Sequence, residues 1–326
     1  MGDLTDQVRD SCRAVVADAR LVAVDEEALD RLAGELLSTP APPTGVALGT
    51  PAPGHDAEAT VALVVALDAV NFGSGWHDVV RKRHGLSGAR TMAAGLRDHA
   101  ARTGPLTAAR LRAMTPAGCA AVFGQDLDGP AGDLMELFAS SLSELGTVVD
   151  ERYDGAFLHL VEEAAGSAVA LATSLAQLAS YRDRAELDGR DVHFYKRAQI
   201  TAADLAREVP LVAGCRFGDL ARLTAFADNL VPHVLRVDGV LTYDPGPGGR
   251  HRRRGPARPW VPGRGRDPGR RRRRGRAAPV PVGGGTPRLA GHGPRPLPVA
   301  PRRWRPVQGG APAPGPVALL LTALSY

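Results

Sequence analysis

The chain has 326 residues, a formal net charge of +5 and three cysteines. Cys12, Cys119 and Cys215 are odd in number and far apart, which argues against a disulfide framework and fits a reducing compartment. The N-terminus lacks the apolar region of a signal peptide. The longest apolar run, residues 61–70, is interrupted by Asp68 and too short to span a bilayer. These features predict a cytoplasmic protein.

Charge divides the sequence near residue 245. Residues 245–326 contain 18 arginines, no lysine and one acid, Asp267, for a net charge of +17. Residues 1–244 therefore hold 22 basic and 34 acidic residues, a net charge of −12. The sequence pI of about 9.5 comes from the tail and does not mark the front part as a nucleic-acid-binding protein.

The tail, residues 245–326, has the composition of a segment that cannot build a core. It holds 17 of the 27 prolines and no sustained apolar period, so we predict that it is disordered. One interpretation is a basic arm that binds nucleic acid non-specifically. The other is a change of reading frame in a GC-rich gene, which we favour because the switch in composition is abrupt. The nucleotide sequence around codon 245 distinguishes the two.

Residues 1–244 are predicted to form one mainly α domain. In chain order, the expected helices are 25–37, 57–70, a pair within 87–112 broken at Gly104-Pro105, 132–145, 157–178, 202–209 capped by Thr201, and 224–235 interrupted by Pro232. A linker is expected at 39–54. A glycine-containing turn is expected at 71–76, and a short strand or extended loop at 186–195.

The candidate functional residues are weak signals when taken singly. Asp228 is a carboxylate in an apolar run, which indicates either a chemical role or an ordinary helix cap or arginine pair. Lys196 and Lys82 are the only lysines, so an ammonium group is indicated at residue 196, although a solvated helix start explains it equally. His55 and His233 lack metal-ligand spacing, so we predict no metal site. No P-loop, Rossmann fingerprint or GxSxG motif is present.

Four motifs together resemble one family. They are Asn71-Phe72-Gly73-Ser74-Gly75-Trp76, Tyr181-Arg182-Asp183, Phe194-Tyr195-Lys196-Arg197-Ala198-Gln199-Ile200, and Phe226-Ala227-Asp228 with Val231-Pro232. From about Val24 to Tyr243 the chain resembles the queuosine salvage protein family, whose members are queuosine 5′-phosphate N-glycosylases/hydrolases. The resemblance implies a helical fold similar to DNA glycosylases. It also implies hydrolysis of the ribosyl C–N bond, release of queuine, and no metal or organic cofactor.

The resemblance also implies roles for single residues. Asp228 matches the catalytic aspartate, and Lys196 matches a motif lysine near the ribose phosphate. Phe226 matches an aromatic that contacts the base, and His55 loosely matches a base-contacting histidine. The remaining expected substrate-binding residues are Asn71, Phe72, Trp76 and Tyr195, of which the aromatics suit a flat 7-deazapurine.

The resemblance ends near Tyr243. The family continues with further helices and a final acidic and aromatic motif that holds the base, and residues 245–326 contain nothing similar. We therefore expect a catalytic carboxylate without much of the base-recognition wall, exposed apolar surface, and weak or absent activity. The leading expectation is a monomeric enzyme with a small-molecule substrate and no membrane partner. Open alternatives are a catalytically impaired protein, a nucleic-acid-binding module acting through the basic tail, and a helical scaffold without catalysis.

Overall fold

The structure is a computed structural model that describes residues 2–38, 56–228 and 230–244. Its helices are α1 Leu4–Asp18, α2 Glu26–Ser38, α3 Ala57–Ala69, α4 Gly88–Thr103, α5 Ala108–Arg112, α6 Pro116–Phe123, α7 Gly132–Arg152, α8 Phe157–Glu163, α9 Ala168–Leu175, α10 Lys196–Glu208 and α11 Leu230–Val237. Its strands are β1 Val22–Val24, β2 Arg184–Leu187, β3 Arg190–His193 and β4 Leu241–Tyr243. The mainly α prediction is confirmed. The predicted linker, His55 and the tail from residue 245 lie outside the described residues.

Helix α3 forms the centre of the main core. The Asp56 carboxylate caps its start by accepting from the Glu58 amide at 3.1 Å. Between residues 60 and 69 all side chains except Leu63 are buried, and α3 packs against α4, α7, α8 and α10. A helix that is apolar on every side requires such surroundings. It follows that Asp68, which lies in this helix, is placed inside the protein.

Helix α7 completes the core beside α3. Its buried face is rich in large apolar side chains, and the Phe138 ring lies 5.1 Å from the rings of both Phe72 and Phe123. On another face, Gly146 allows α7 to approach the backbone of α5 near Ala108 and Arg112. This close approach depends on the absence of a side chain at residue 146.

Two small antiparallel sheets complete the fold. Strands β2 and β3 form a hairpin over residues 184–193, and both Asp188 and Gly189 at its tip have positive φ angles (51° and 78°), as type I′ turns require. Strand β1 pairs with β4, so that Val22 lies opposite Tyr243. This second sheet packs with α2 and α11 in a satellite cluster formed by Val22, Ala28, Leu29, Leu235, Val240 and Leu241.

Several helix predictions are confirmed. Residues 57–69 are helical, and α4 and α5 are separated at Gly104-Pro105, where Gly104 has a φ of 92°. Helix α7 covers the predicted segment and continues to Arg152. Helix α2 forms as predicted, but its apolar face is only partly covered, because Leu37 is 70% exposed.

The single helix predicted for residues 157–178 is wrong. The chain breaks between α8 and α9, where Ala165 and Gly166 have positive φ angles of 48° and 77°. Ser167 then starts α9 by accepting from the Ala170 amide at 3.0 Å. The small residues 164–168, which lie inside the predicted helix, therefore form a turn and a helix cap.

Two further boundaries are wrong. Thr201 is not a helix cap, because α10 begins at Lys196 and the buried Thr201 hydroxyl donates to the Arg197 carbonyl at 2.8 Å. Residues 224–228 are not helical, and α11 begins at Leu230. Pro232 then lies in the first turn of α11, where proline is tolerated because the backbone N–H has no intrahelical acceptor. None of the helices in the described ranges has the length and apolar character needed to cross a membrane.

Replacing Gly146 with alanine should destabilise the fold, because the added methyl group would meet the Arg112 amide and the Ala108 carbonyl of α5. We expect the free energy of unfolding to fall by about 1–3 kcal/mol. Urea denaturation of the Gly146→Ala protein measures this change. The control is Gly34→Ala, where a methyl group meets no atom within 4 Å. That substitution should be neutral or stabilise α2 by roughly 0.5–1 kcal/mol.

Candidate active site

The start of α10 is a strained junction. Tyr195 has a left-handed backbone (φ 48°), which is unfavourable for a residue with a side chain. The Asp183 carbonyl accepts from the Phe194 and Tyr195 amides at 3.0 and 3.2 Å, and the Asp183 carboxylate accepts from the Lys196 amide at 3.3 Å. These hydrogen bonds fix the position from which the Lys196 side chain begins.

Arg197 joins α10 to the end of α3. Its side chain is buried, and Nη1 donates to the Ala69 carbonyl at 3.0 Å. The guanidinium carbon lies 4.5 Å from the centre of the Phe72 ring and 5.4 Å from that of Tyr181. Burial lowers the pKa of Arg197, although Tyr181 and the nearby carboxylates favour the charged form. Arg197 thus fixes the turn that carries Asn71 and Phe72, and it covers part of the Phe72 ring.

Gln199 joins α10 to the segment that contains Asp228. Its Oε1 accepts from the Thr224 amide at 2.7 Å, and its Nε2 donates to the Thr224 hydroxyl at 2.8 Å and to the Phe194 carbonyl at 2.9 Å. Both Gln199 and Thr224 are buried. Segment 224–228 is not helical, and the Gln199 side-chain amide attaches its first residue to the core.

Asp228 lies at the end of that segment and is partly buried. Its Oδ1 accepts from the Val231 amide at 3.2 Å, which is a capping interaction at the start of α11. Phe226, two residues earlier, packs against the main core while keeping part of its surface exposed. The helix cap that was one interpretation of Asp228 in the sequence is therefore present, and it fixes the position of the carboxylate.

The other candidate residues differ in their surroundings. Asn71 Nδ2 donates to Asp68 Oδ1 at 3.4 Å. The Tyr195 hydroxyl donates to Gln7 Oε1 at 3.2 Å, and its ring stacks on His193 at 5.4 Å. Trp76 is 8% exposed and belongs to the main core. Within the part of the chain that the structure describes, no carboxylate forms an ion pair with the Lys196 ammonium group.

The structure adds two carboxyl groups that the motif analysis did not single out, Asp68 on α3 and Asp204 on α10. Asp68 is 1% exposed, and its pKa is raised well above its usual range by burial and by Asp204. Burial also raises the pKa of Asp204 to about 6, although its ion pair with Arg207 opposes this shift. The available signal was the single acid that interrupts the apolar run of α3.

Two cavities in the described part of the chain are not lined by these residues. One of about 400 Å³ is lined by Glu58, Pro105 and His159 among others, and one of about 290 Å³ lies beside β1 and β4. Lys196, Phe226 and Asp228 line neither. Among the described residues, no group of three or more His, Cys, Asp or Glu side chains is arranged to hold a metal ion.

Sequence comparison identifies the chain's relatives. The profile of a family described as queuosine salvage protein matches residues 51–246. This chain belongs to the queuosine salvage protein family. A Sphaerobacter thermophilus protein named queuosine 5′-phosphate N-glycosylase/hydrolase is 36% identical over 241 residues, and the alignment covers 72% of each chain. Mouse and bovine proteins of the same name are 32% and 30% identical, again over 72% of each chain.

Membership of the queuosine salvage protein family confirms the resemblance seen in the motifs. The matched region contains all the elements that converge on α10, including the end of α3, the junction at Tyr195 and segment 224–228. It ends at residue 246, where the composition changes. The family features of this chain are therefore concentrated in its acidic front part.

Replacing Gln199 with methionine should loosen segment 224–228, because the Thr224 amide would lose its acceptor inside the protein. We expect a loss of about 2–3 kcal/mol of stability. Hydrogen exchange at the Thr224 amide should become faster. The matched control is Gln177→Met at an exposed site, which should change stability by no more than about 0.5 kcal/mol. Unchanged exchange at Thr224 would contradict the assigned role of Gln199.

Proposed function

We propose that this protein hydrolyses the N-glycosidic bond of queuosine 5′-phosphate and releases queuine for salvage into tRNA modification. The main support is sequence similarity: the chain is 36% identical to a relative named for this activity, and the alignment covers 72% of each chain. The geometry supports the proposal, because α10 connects by direct hydrogen bonds to the segment that ends in Asp228. Lys196 and Asp228, the two proposed catalytic residues, thus belong to one connected unit.

Asp228 is proposed to act on the sugar. Cleavage of a ribosyl C–N bond develops positive charge on the ribose, and a fixed carboxylate stabilises this charge or activates the attacking water. Capping of α11 through Oδ1 orients the Asp228 carboxylate before substrate binds. Such orientation in advance is what makes an electrostatic contribution effective in the transition state.

Lys196 is proposed to bind the 5′-phosphate. Its ammonium group has no ion-pair partner among the described residues, so its charge is not already neutralised within that part of the protein. A phosphate oxygen forms a strong charge-assisted hydrogen bond with such a group. The fixed backbone at Tyr195 and Lys196 limits the positions that the ammonium group reaches, which reduces the entropy lost on binding.

The base is proposed to lie against the aromatic residues near these groups. Phe226 keeps exposed ring surface for stacking, and Phe72 offers the surface that Arg197 leaves uncovered. Asn71 supplies an amide, while Tyr195 and the deeply placed Trp76 shape the surroundings. His55 is a further proposed base contact outside the described residues.

The remaining features of the proposal follow from the reaction. Hydrolysis needs water and no organic cofactor, and the substrate is a small molecule. We further propose a cytoplasmic monomer with a catalytic domain in residues 1–244 and a separate basic segment in residues 245–326. No observation favours the nucleic-acid-binding alternative over this function.

Replacing Asp228 with asparagine should reduce queuine release by at least about a hundredfold, because the negative charge near the ribose is removed. Asparagine keeps an oxygen that accepts from the Val231 amide, so the melting temperature should hardly change. Mass spectrometry of free queuine after incubation of the full chain with queuosine 5′-phosphate measures the rate. Undiminished release by a folded Asp228→Asn protein would rule out the catalytic assignment.

Replacing Lys196 with glutamine should raise KM for queuosine 5′-phosphate about tenfold, because the phosphate loses its cation. The KM for queuosine without a phosphate should change little. Lys82→Gln is the matched control, since Lys82 is exposed and is the only other lysine. Equal effects of the two substitutions, or equal effects of Lys196→Gln on both substrates, would argue against a phosphate contact.

A further inference from the structure

The interface between α3 and α10 contains an acid without a counter-ion. Asp68 is 1% exposed, its Oδ2 has no hydrogen-bond partner, and its Oδ1 has only the 3.4 Å contact with Asn71. Asp68 also lies at the last turn of α3, where the helix dipole disfavours a negative charge. An ionised carboxylate in this place would be strongly unfavourable.

Arg207, the α10 arginine that attracts Asp68 electrostatically, is already engaged. Arg207 Nη2 lies 2.9 Å from Asp204 Oδ1, and Arg207 Nε lies 2.9 Å from Glu208 Oε1. Asp204 is 5% exposed, and the Glu208 carboxylate is also buried. Two carboxylates therefore share the single charge of Arg207, so Arg207 compensates Asp68 only weakly. Asp204 keeps its ion pair, and burial together with the nearby Asp204 raises the pKa of Asp68 well above its usual range.

Several other charged or titratable groups face this interface. Lys196 acts on both Asp68 and Asp204, and Tyr181, whose hydroxyl donates to the Val65 carbonyl at 3.2 Å, faces Asp68. Arg197, 5.4 Å from the Tyr181 ring, and Glu144 also interact electrostatically with Tyr181. Arg97 of α4 faces Glu208, and Asp183 faces Lys196 and Arg197. Lys196 is close to Asp68 because the next residue, Arg197, donates to the carbonyl of Ala69, the residue after Asp68, at 3.0 Å. Of these groups, Lys196 is the cation that attracts Asp68 and has no ion-pair partner in the described ranges.

We propose that Asp68 is a positioning residue that acts through Lys196. When Asp68 is neutral, the Lys196 ammonium group is available to the substrate phosphate. When Asp68 is ionised, its carboxylate competes with the phosphate for that ammonium group. This inference rests on the proposed function, since it takes Lys196 as the phosphate-binding cation. Its consequence is a built-in pH dependence of substrate affinity. As pH rises and Asp68 loses its proton, KM for the phosphorylated substrate increases, while kcat changes little.

The same feature lowers stability at neutral pH. In the unfolded chain Asp68 ionises near its ordinary pKa of 3.8, whereas in the folded protein it holds its proton to higher pH. Above the unfolded value the folded state therefore binds more protons, and stability falls as pH rises toward the folded value. Asparagine cannot ionise, so Asp68→Asn should raise the melting temperature at neutral pH. If Asp68 had a purely structural role, Asp68→Asn would lower the melting temperature instead.

The first experiment measures KM for queuosine 5′-phosphate from mildly acidic to alkaline pH, over the range in which the protein stays folded. We expect the wild-type KM to rise by roughly tenfold and the Asp68→Asn value to stay nearly constant. Asp204→Asn should move the wild-type rise to lower pH, because it removes the carboxylate that disfavours ionisation of Asp68. Asp98→Asn, at an exposed ion pair with Arg83, is the control and should behave as wild type. Parallel pH profiles for wild type and Asp68→Asn would overturn the proposal.

A second experiment does not depend on turnover. The chain has only two lysines, so labelling lysine with ¹³C at Cε gives two NMR signals, one from Lys196 and one from the reference Lys82. The Lys196 signal should show a titration step that is absent in Asp68→Asn and lies at lower pH in Asp204→Asn, while Lys82 shows no such step. If queuine release fails but this step is present, this chain lacks the proposed activity and the coupling stands. Absence of the step in wild type overturns the coupling itself.

Discussion

The structure around the proposed site depends on one buried cation. Arg197 lies between the Phe72 and Tyr181 rings and donates to the Ala69 carbonyl, which also accepts from the Ser141 hydroxyl at 2.7 Å. It therefore ties the last turn of α3 to the first turn of α10, with α7 on the third side. A guanidinium group suits this position because its flat face stacks on aromatic rings while its N–H groups donate hydrogen bonds within its plane. Because these contacts fix Arg197, they also fix the backbone position of the preceding residue, Lys196.

The site consists of several arrangements that are unfavourable by themselves. Tyr195 has a left-handed backbone, Asp68 is an acid in the core, and segment 224–228 has no regular secondary structure. Hydrogen bonds with Asp183 and Gln199 stabilise the first and the last of these, whereas Asp68 has only a long contact with Asn71. The apolar surface buried around α3 and α7 offsets these costs. Functional sites typically concentrate such unfavourable free energies in one region, because they require a particular side-chain geometry even where it reduces local stability.

The sequence predicts correctly those structural features that neighbouring residues determine. The apolar run of α3 and the break at Gly104-Pro105 are predicted correctly, because composition and glycine or proline residues determine them. Extended structure is also predicted at 186–195, although the segment forms part of a two-stranded hairpin with a turn at Asp188-Gly189. The break at Ala165-Gly166 and the irregular 224–228 segment were missed, since tertiary hydrogen bonds override helical periodicity there. In the site, rarity and motif context pointed to Lys196 and Asp228. Gln199 and the Asp68–Asp204 pair were missed because their importance depends on contacts between residues far apart in sequence.

The pairing of β1 with β4 has a consequence for how the chain folds during synthesis. Val22 and Tyr243 lie opposite each other although almost the whole described chain separates them. Such a contact raises the contact order and closes a very long loop, which slows folding. On the ribosome, β1 has no strand partner until β4 has left the exit tunnel. The satellite cluster that both strands share with α2 and α11 must therefore assemble last, after the main core has formed around α3.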